Sequence, residues 1–178
     1  MLQEKYNTEI KDVLKTEFGI TNDLALPRLK KVVINVGAAE AKDNQAILDA
    51  IVTNLTAISG QKPMVTRAKK SISNFKLVQG QPIGVMVTVR GKRMYAFLEK
   101  LFNAVLPKVR DFRGVSNTAF DNSGNYNLGL REQTLFPEVD YKSGEKTRGL
   151  QITITTNCKN QKEGRRLLEL LGMPFSKA

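Results

Sequence analysis

The 178-residue chain contains no histidine and only one cysteine, and each shortage excludes a kind of chemistry. Histidine is the side chain that most often acts as a general base near neutral pH, and it is also the most common metal ligand. The single cysteine, Cys158, excludes an intramolecular disulfide and a four-cysteine zinc site, which fits a reducing compartment. Since no histidine can activate Cys158, we predict a buried or inert thiol rather than a nucleophile.

Other hallmarks of catalysis are also missing. The stretch 84–92 fails as a phosphate loop because its glycines are too far apart, and 124–129 fails because Leu130 follows it where lysine is essential. Four carboxylates that lie close in the sequence are interpreted as surface groups rather than as a magnesium site, because nothing fixes their geometry. They are Asp121, Glu132, Glu138 and Asp140. The sequence therefore predicts no catalytic residue, no metal and no cofactor.

Signals for membrane insertion are absent as well. The chain does not start with a basic region followed by an apolar core, and no apolar run approaches the roughly 20 residues that a membrane helix needs. A basic protein bound to anionic membranes would need a basic amphipathic helix, whereas the Lys and Arg residues lie largely in predicted loops and strands. We therefore expect a soluble cytoplasmic protein with no membrane partner.

Basic residues are in large excess. The chain has 28 Lys and Arg against 17 Asp and Glu, which gives a formal net charge of +11. A surplus of this size creates a field that attracts polyanions, so the composition favours nucleic-acid binding. The alternative interpretation is a solvated basic surface that serves only solubility. The length, without a linker or a repeat, predicts one domain over residues 1–178.

Apolar spacing predicts four helices and at least three strands. Helical spacing occurs over 6–18, 48–58 and 94–105, and the last helix has a start signal in Asn160 with Glu163 three residues later. Strands are predicted where apolar and polar residues alternate, at 31–36, 84–90 and 150–155, and 125–131 is a candidate for a further strand.

The alternation also predicts the fold class. A period of two with one aliphatic face indicates a sheet that is covered on one side only. The order of the elements then predicts an α+β two-layer sandwich, with a largely antiparallel sheet, helices on one face and an open polar face.

This uncovered side of the sheet, called the open face, is the strongest candidate binding surface. Lys31 and Arg90 can contact phosphates, and the amide and hydroxyl groups of this face can hydrogen-bond phosphate, ribose or base edges. Those groups belong to Asn35, Thr88, Gln151, Thr153 and Thr155. The predicted face has no aromatic residue to stack bases, which favours structured, partly helical RNA over a single strand. A plain solvent-facing sheet is the alternative.

Two long segments show neither helical nor strand periodicity. Residues 67–82 hold four basic residues with Phe75, which fits a flexible protruding hairpin or a solvated charged loop. Residues 111–137 contain several large apolar residues, which argue against simple disorder. Loops of this length are usually functional or disordered.

The chain also contains, in this order, ISGQKP at 58–63, RAKKS at 67–71, RDFRG at 110–114, GNY at 124–126, FPE at 136–138 and RGLQITITT at 148–156. These motifs closely resemble those of the 5S-rRNA-binding family that includes the fifth protein of the bacterial large ribosomal subunit. The likeness runs from near residue 3 to Phe175. The resemblance implies a non-enzymatic structural constituent of the large subunit, bound to the ribosome in the cytoplasm.

The resemblance further implies partners and contact residues. It implies binding to 5S rRNA in the central protuberance, with 23S rRNA and neighbouring large-subunit proteins as further partners. Family members use the open face and its borders for the 5S rRNA, which maps onto Asn35, Gln61, Thr88 and Arg90; Gln61 is expected from the resemblance alone.

Two more contacts are implied by the family. A loop rich in basic residues lies near the peptidyl-site tRNA, and the 111–137 region faces a head protein of the small subunit in an intersubunit bridge. The loop maps onto Lys69, Lys70, Ser71, Asn74, Phe75, Lys76 and Gln79. An RNA-processing or RNA-modifying enzyme is the alternative function. It would need a pocket with perturbed ionisable groups or a cofactor motif, and the sequence contains neither.

Overall fold

The computed structural model describes residues 1–42, 44–139 and 147–176. Within these ranges the helices are α1 (Leu2–Lys5), α2 (Lys11–Phe18), α3 (Gln45–Ser59), α4 (Gly91–Lys100) and α5 (Gln161–Leu170). The strands are β1 (Leu29–Gly37), β2 (Met64–Arg67), β3 (Pro82–Val89), β4 (Tyr126–Leu130) and β5 (Leu150–Thr156). A π-helical turn, Tyr6–Ile10, joins α1 to α2, and another, Leu101–Val105, extends α4. The four predicted helices and the candidate strand at 125–131 are confirmed.

The strands form one sheet in the order β2-β3-β1-β5-β4. β2 and β3 run antiparallel, with Met64 opposite Met86 and Thr66 opposite Gly84. The end of β5 lies beside the start of β1, where the amide of Asn157 donates to the carbonyl oxygen of Arg28 at 3.1 Å. The predicted α+β sandwich with a largely antiparallel sheet is therefore confirmed.

Burial along the strands follows the predicted alternation. In β1 the side chains of Val32, Ile34 and Val36 are buried, whereas Lys31 and Asn35 between them are half-buried. β5 repeats the pattern, since every second residue from Leu150 to Thr156 is buried. On one side of the sheet the apolar side chains are thus buried away from water, and this burial supplies the main stabilising free energy. The residues between them are not needed for the core.

Local signals set the helix ends. The Asn160 side-chain oxygen accepts from the Glu163 amide at 2.9 Å, and the Glu163 carboxylate accepts from the Lys159 amide at 3.0 Å, so the predicted start of α5 is confirmed. At the C-terminal ends, Gly19 and Gly60 terminate α2 and α3 in the left-handed conformation, at φ 62° and 69° respectively.

The described chain packs as two compact units. Unit 1 comprises Met1–Val32, Val89–Leu128 and the residues from Thr153 onward. Its buried apolar residues include Leu14, Leu98 and Leu167. The Tyr6 hydroxyl donates to the carbonyl oxygen of Pro27 at 2.9 Å, which ties the first helical segment to the chain just before β1. The Arg166 guanidinium reaches Glu17 at 2.8 Å and links α5 to α2.

Unit 2 comprises Val33–Thr88 and Gly129–Ile152. Its core includes Leu48, Ile51 and Leu55 of α3 together with Val85 and Val87 of β3. The prediction of one domain over residues 1–178 stays a prediction.

Two glycines in unit 1 pack backbone against backbone. A Cβ added to Gly164 in α5 would lie 2.8 Å from the Cα of Gly124 and would also collide with the Gly124 carbonyl oxygen. Real Cβ atoms do not approach backbone this closely, so the backbone of α5 rests directly on the turn before β4. The absence of a side chain at Gly164 is therefore a packing requirement.

We expect Gly164→Ala to lower the free energy of unfolding by about 2 kcal/mol because of overpacking. Helix propensity alone predicts the opposite sign, a gain of about 1 kcal/mol. Urea unfolding followed by circular dichroism measures the change. Gly129→Ala is the control, because an added Cβ there meets nothing within 4 Å. Equal midpoints for Gly164→Ala and the parent chain would contradict the close packing.

Candidate nucleic-acid interface

In unit 2 the open face carries two predicted contact residues that the structure brings together. Gln61 follows the left-handed residue that ends α3, and its side-chain amide donates to the main-chain oxygen of Thr88 at 2.8 Å. The side-chain oxygen of Gln61 accepts no hydrogen bond from the described part of the chain, so it remains available to a donor. Asn35 in β1 is half-buried, and Gln151 at the start of β5 is exposed.

The open face of unit 2 also has an apolar component. Cross-strand partners share a face, so Met64 lies on the same side as Met86. Met64 is 61% exposed, while Met86 and Val33 are half-buried. The predicted polar groups are therefore interspersed with flexible thioether and aliphatic side chains that can pack against ribose and base surfaces.

In unit 1 the remaining predicted contacts lie on three strands or their ends. Lys31 and Thr155 are half-buried, and Arg90 is exposed at the position just before α4, where its side chain makes no capping bond. The Thr153 hydroxyl donates to the side-chain oxygen of Asn127 at 2.7 Å. This bond leaves the Asn127 NH₂ group able to donate outward.

Asn127 is the residue that sequence reasoning missed. It lies in β4, next to β5 in the sheet, and is exposed beside a predicted contact residue. The alternation of the candidate strand at 125–131 already placed Asn125, Asn127 and Gly129 on one face. That signal could have added Asn127 to the open face had the pairing of β4 with β5 been known.

Residues 68–81 connect β2 to β3. Within this connection, residues 69–80 are called the basic loop. Its predicted contact residues are all exposed: Lys69, Lys70, Ser71, Asn74, Phe75, Lys76 and Gln79. Main-chain bonds between Ile72 and Leu77, at 2.9 and 3.1 Å, form a small hairpin within the loop. Lys76 follows its turn with a φ of 49°, a left-handed conformation. The predicted hairpin agrees with this geometry, and its flexibility stays a prediction.

The 111–137 region is well packed where it lies in unit 1. The Val115 amide donates to the Pro174 carbonyl oxygen at 2.8 Å, and the Tyr126 hydroxyl donates to the Ser116 carbonyl oxygen at 2.7 Å. The rings of Phe120, Tyr126 and Phe175 contact one another with centroid separations of 4.7 to 5.8 Å. These contacts show the apolar residues of this segment packed in an ordered structure, in agreement with the expectation that the segment is not simply disordered.

Two of the groups considered for catalysis or metal binding, Cys158 and Asp121, have defined structural surroundings. Cys158 is buried, and burial raises the pKa of its thiol, so the prediction of a buried thiol is confirmed. The Asp121 carboxylate accepts from the Asn125 side chain and from the amides of Ser123 and Asn125, and the Asn125 side-chain bond is the main reason that its pKa is lowered.

Asp121 therefore shapes its own turn. In the described ranges no three His, Cys, Asp or Glu side chains lie close enough to hold a metal ion. Asp140 lies outside the described residues. None of the helices described in the structure is both long enough and apolar enough to cross a bilayer.

Comparisons with known proteins agree with the geometry. A model of ribosomal protein L5 matches residues 22–77, and a model of the C-terminus of the same ribosomal family matches residues 82–175. Large ribosomal subunit protein uL5 of Caldanaerobacter subterraneus subsp. tengcongensis is 57% identical over 176 residues, which cover 99% of this chain and 98% of that protein. The uL5 proteins of Thermoanaerobacter sp. and Anaeromyxobacter sp. strain K are each 55% identical, over 99% and 98% of this chain.

These similarities define a class first: RNA-binding structural proteins of the large ribosomal subunit, which act in translation and are not enzymes. Within that class the chain belongs to the ribosomal protein L5 family, known as uL5. It is therefore a structural constituent of the large subunit, with ribosomal RNA and other ribosomal components as its partners. As a ribosome component of a bacterial family it is located in the cytoplasm.

We expect Thr153→Val to lower the free energy of unfolding by about 1 kcal/mol, because the substitution removes the hydroxyl that bonds Asn127. Thr155→Val is the matched control: it makes the same change on the same strand and face, and the Thr155 hydroxyl has no hydrogen-bond partner among the described residues. Urea midpoints of both variants provide the measurement. A shift of equal size in the two variants would mean that the Thr153–Asn127 bond contributes nothing in solution.

Proposed function

We propose that the open face of this uL5-family chain binds 5S rRNA in the central protuberance of the large subunit. The observation that carries the proposal is the bond from Gln61 to Thr88. Strand alternation identified Thr88 without reference to any relative, whereas Gln61 was expected from the family alone. Two independent lines of reasoning therefore meet at two residues whose bonded atoms lie 2.8 Å apart.

The chemistry of the open face suits folded RNA. Its donors and acceptors are short amide and hydroxyl groups on strands, which lose little conformational freedom when they bind. Charge is supplied at its borders by Lys31 and Arg90. The overall charge of +11 attracts the RNA, and the strand side chains fix its register by hydrogen bonds.

The basic loop is proposed to contact the peptidyl-site tRNA. Support comes from its exposed Lys69, Lys70 and Lys76 together with an aromatic ring, Phe75, that is 72% exposed. Cations for phosphate and a ring for base or ribose contact are the usual means of binding structured RNA loops.

The 111–137 region is proposed to face a head protein of the small subunit. Arg110, Asp111 and Arg113 are exposed next to the packed segment that Val115 and Pro174 hold in place. Further contacts with 23S rRNA and neighbouring large-subunit proteins belong to the same proposal.

The test is a filter-binding titration of the purified chain against 5S rRNA, with tRNA as competitor and at two salt concentrations. We expect tight binding that the competitor does not displace. With roughly six phosphate contacts, affinity should fall by about three decades between 50 and 200 mM salt. Equal binding of both RNAs, lost completely on adding salt, would leave charge as the only established attraction and would refute the proposed site.

We expect Asn35→Ala to raise the Kd for 5S rRNA about fivefold, which corresponds to the loss of roughly one hydrogen bond. Asn54→Ala is the matched control, since it removes the same side chain from α3, which belongs to the helical layer of the same unit. Circular dichroism confirms that both variants fold. Parent-like affinity of Asn35→Ala would remove this strand from the proposed site.

Arg90→Ala is expected to raise the Kd about tenfold and to reduce the slope of log K against log salt by about one. Its control is Lys162→Ala, which removes one exposed charge from the first turn of α5 in the same unit. If binding depends on total charge alone, both variants will weaken it equally and the proposed position of Arg90 will be wrong.

A further inference from the structure

We infer that Ser71 and Gln81 are positioning residues, which hold the basic loop in its RNA-contacting shape before RNA arrives. The inference rests on the proposed function of this loop. It separates the residues that hold the loop backbone in shape from the residues that contact RNA.

The backbone of the basic loop is hydrogen-bonded to an unusual degree for an exposed segment. Each of the seven consecutive amides from Phe75 to Gln81 donates a hydrogen bond within the loop or its base. Five of them donate to main-chain oxygens: those of Phe75, Lys76, Leu77, Gly80 and Gln81. An exposed loop can leave its amides to water, so seven consecutive paired amides indicate one preferred conformation for this part of the loop.

The remaining two amides depend on side chains. The Val78 amide donates to the side-chain oxygen of Gln81 at 2.9 Å, and the Gln79 amide donates to the Ser71 hydroxyl at 2.9 Å. These two bonds close the loop where the small hairpin between Ile72 and Leu77 ends. No backbone carbonyl of the described residues takes their place.

The base of the loop is fixed separately. The Arg67 guanidinium donates to the Gly80 carbonyl oxygen at 2.9 Å, and main-chain bonds join Ala68 to Gln81 and to Gly80. Ser71 and Gln81 therefore act between a fixed base and a hairpin tip. Losing either bond frees the connecting residues 78 and 79 while the two ends stay in place.

Burial contributes little to the order of this loop, because three of its four large apolar side chains are exposed and the fourth, Leu77, is only half-buried. Phe75 is 72% exposed, Val78 is 58% exposed and Ile72 is 43% exposed. Hydrogen bonds must then supply the order that a core supplies elsewhere. A loop ordered in advance loses less conformational entropy on binding, so its contacts yield more net affinity.

This arrangement gives Ser71 a different role from its lysine neighbours. Its hydroxyl oxygen already accepts the Gln79 amide, so Ser71 acts on RNA through the shape of the loop. Lys70 is exposed beside it and is available to a phosphate. The two neighbours therefore provide variants that separate positioning from direct contact.

The first test is amide hydrogen exchange by NMR on the ¹⁵N-labelled full chain. Ser71→Ala should speed exchange of the Gln79 amide about fivefold, and Ser71→Thr, which keeps the hydroxyl, should restore it. Gln81→Leu should speed exchange of the Val78 amide to a similar extent. Ser73→Ala is the matched control, because this exposed serine of the same loop has no side-chain hydrogen bond among the described residues. Unchanged exchange at Gln79 in Ser71→Ala would overturn the inference.

The second test measures release of deacylated tRNA from the peptidyl site of ribosomes that carry the variant chain. We expect Ser71→Ala and Gln81→Leu to speed release about threefold, with Ser71→Thr and Ser73→Ala unchanged. Lys70→Ala reports on the proposed contact itself. If Lys70→Ala speeds release and Ser71→Ala does not, the positioning role is wrong and the tRNA contact stands. If neither variant changes release, the proposed tRNA contact fails and the inference fails with it.

Discussion

Helices cover the sheet on one side only, and this constraint determines which side chains the fold needs and which it leaves for a partner. The covered side is built from Val32, Ile34 and Val36 in β1 and from their counterparts in β3 and β5. Because side chains alternate along a strand, every core residue is followed by one that contributes little to the core. Side chains such as Asn35 on the other face can therefore vary without disturbing the apolar residues that stabilise the sheet.

Away from the sheet, local hydrogen bonds contribute to order alongside burial. In the basic loop several apolar side chains are exposed while each amide from Phe75 to Gly80 is hydrogen-bonded, and the segment around Val115 is fixed by bonds to Pro174 and Ser176. Both segments carry residues that are proposed to contact large partners. Local hydrogen bonding helps to hold such surface segments in one shape.

The part of the fold that depends on local spacing could be predicted from the sequence. Alternation in β1 and β5, the Asn160 start of α5 and the buried state of Cys158 all follow from residues close together in the chain. Contacts between distant residues could not be predicted in this way. Gln61 and Thr88 are 27 residues apart, and Thr153 and Asn127 are 26 apart, so no periodicity connects them. The same applies to the contact of Gly164 with Gly124, which helix propensity would have argued against.

The only thiol of the chain has a practical consequence. Thiol-directed dyes react with the thiolate, and Cys158 is buried, which raises the pKa of its thiol and disfavours the reactive form. A cysteine introduced at an exposed position such as Ser73 would therefore be labelled selectively, without first replacing the natural one. The protein thus offers a ready background for attaching a single fluorophore to the basic loop and following its approach to RNA in real time.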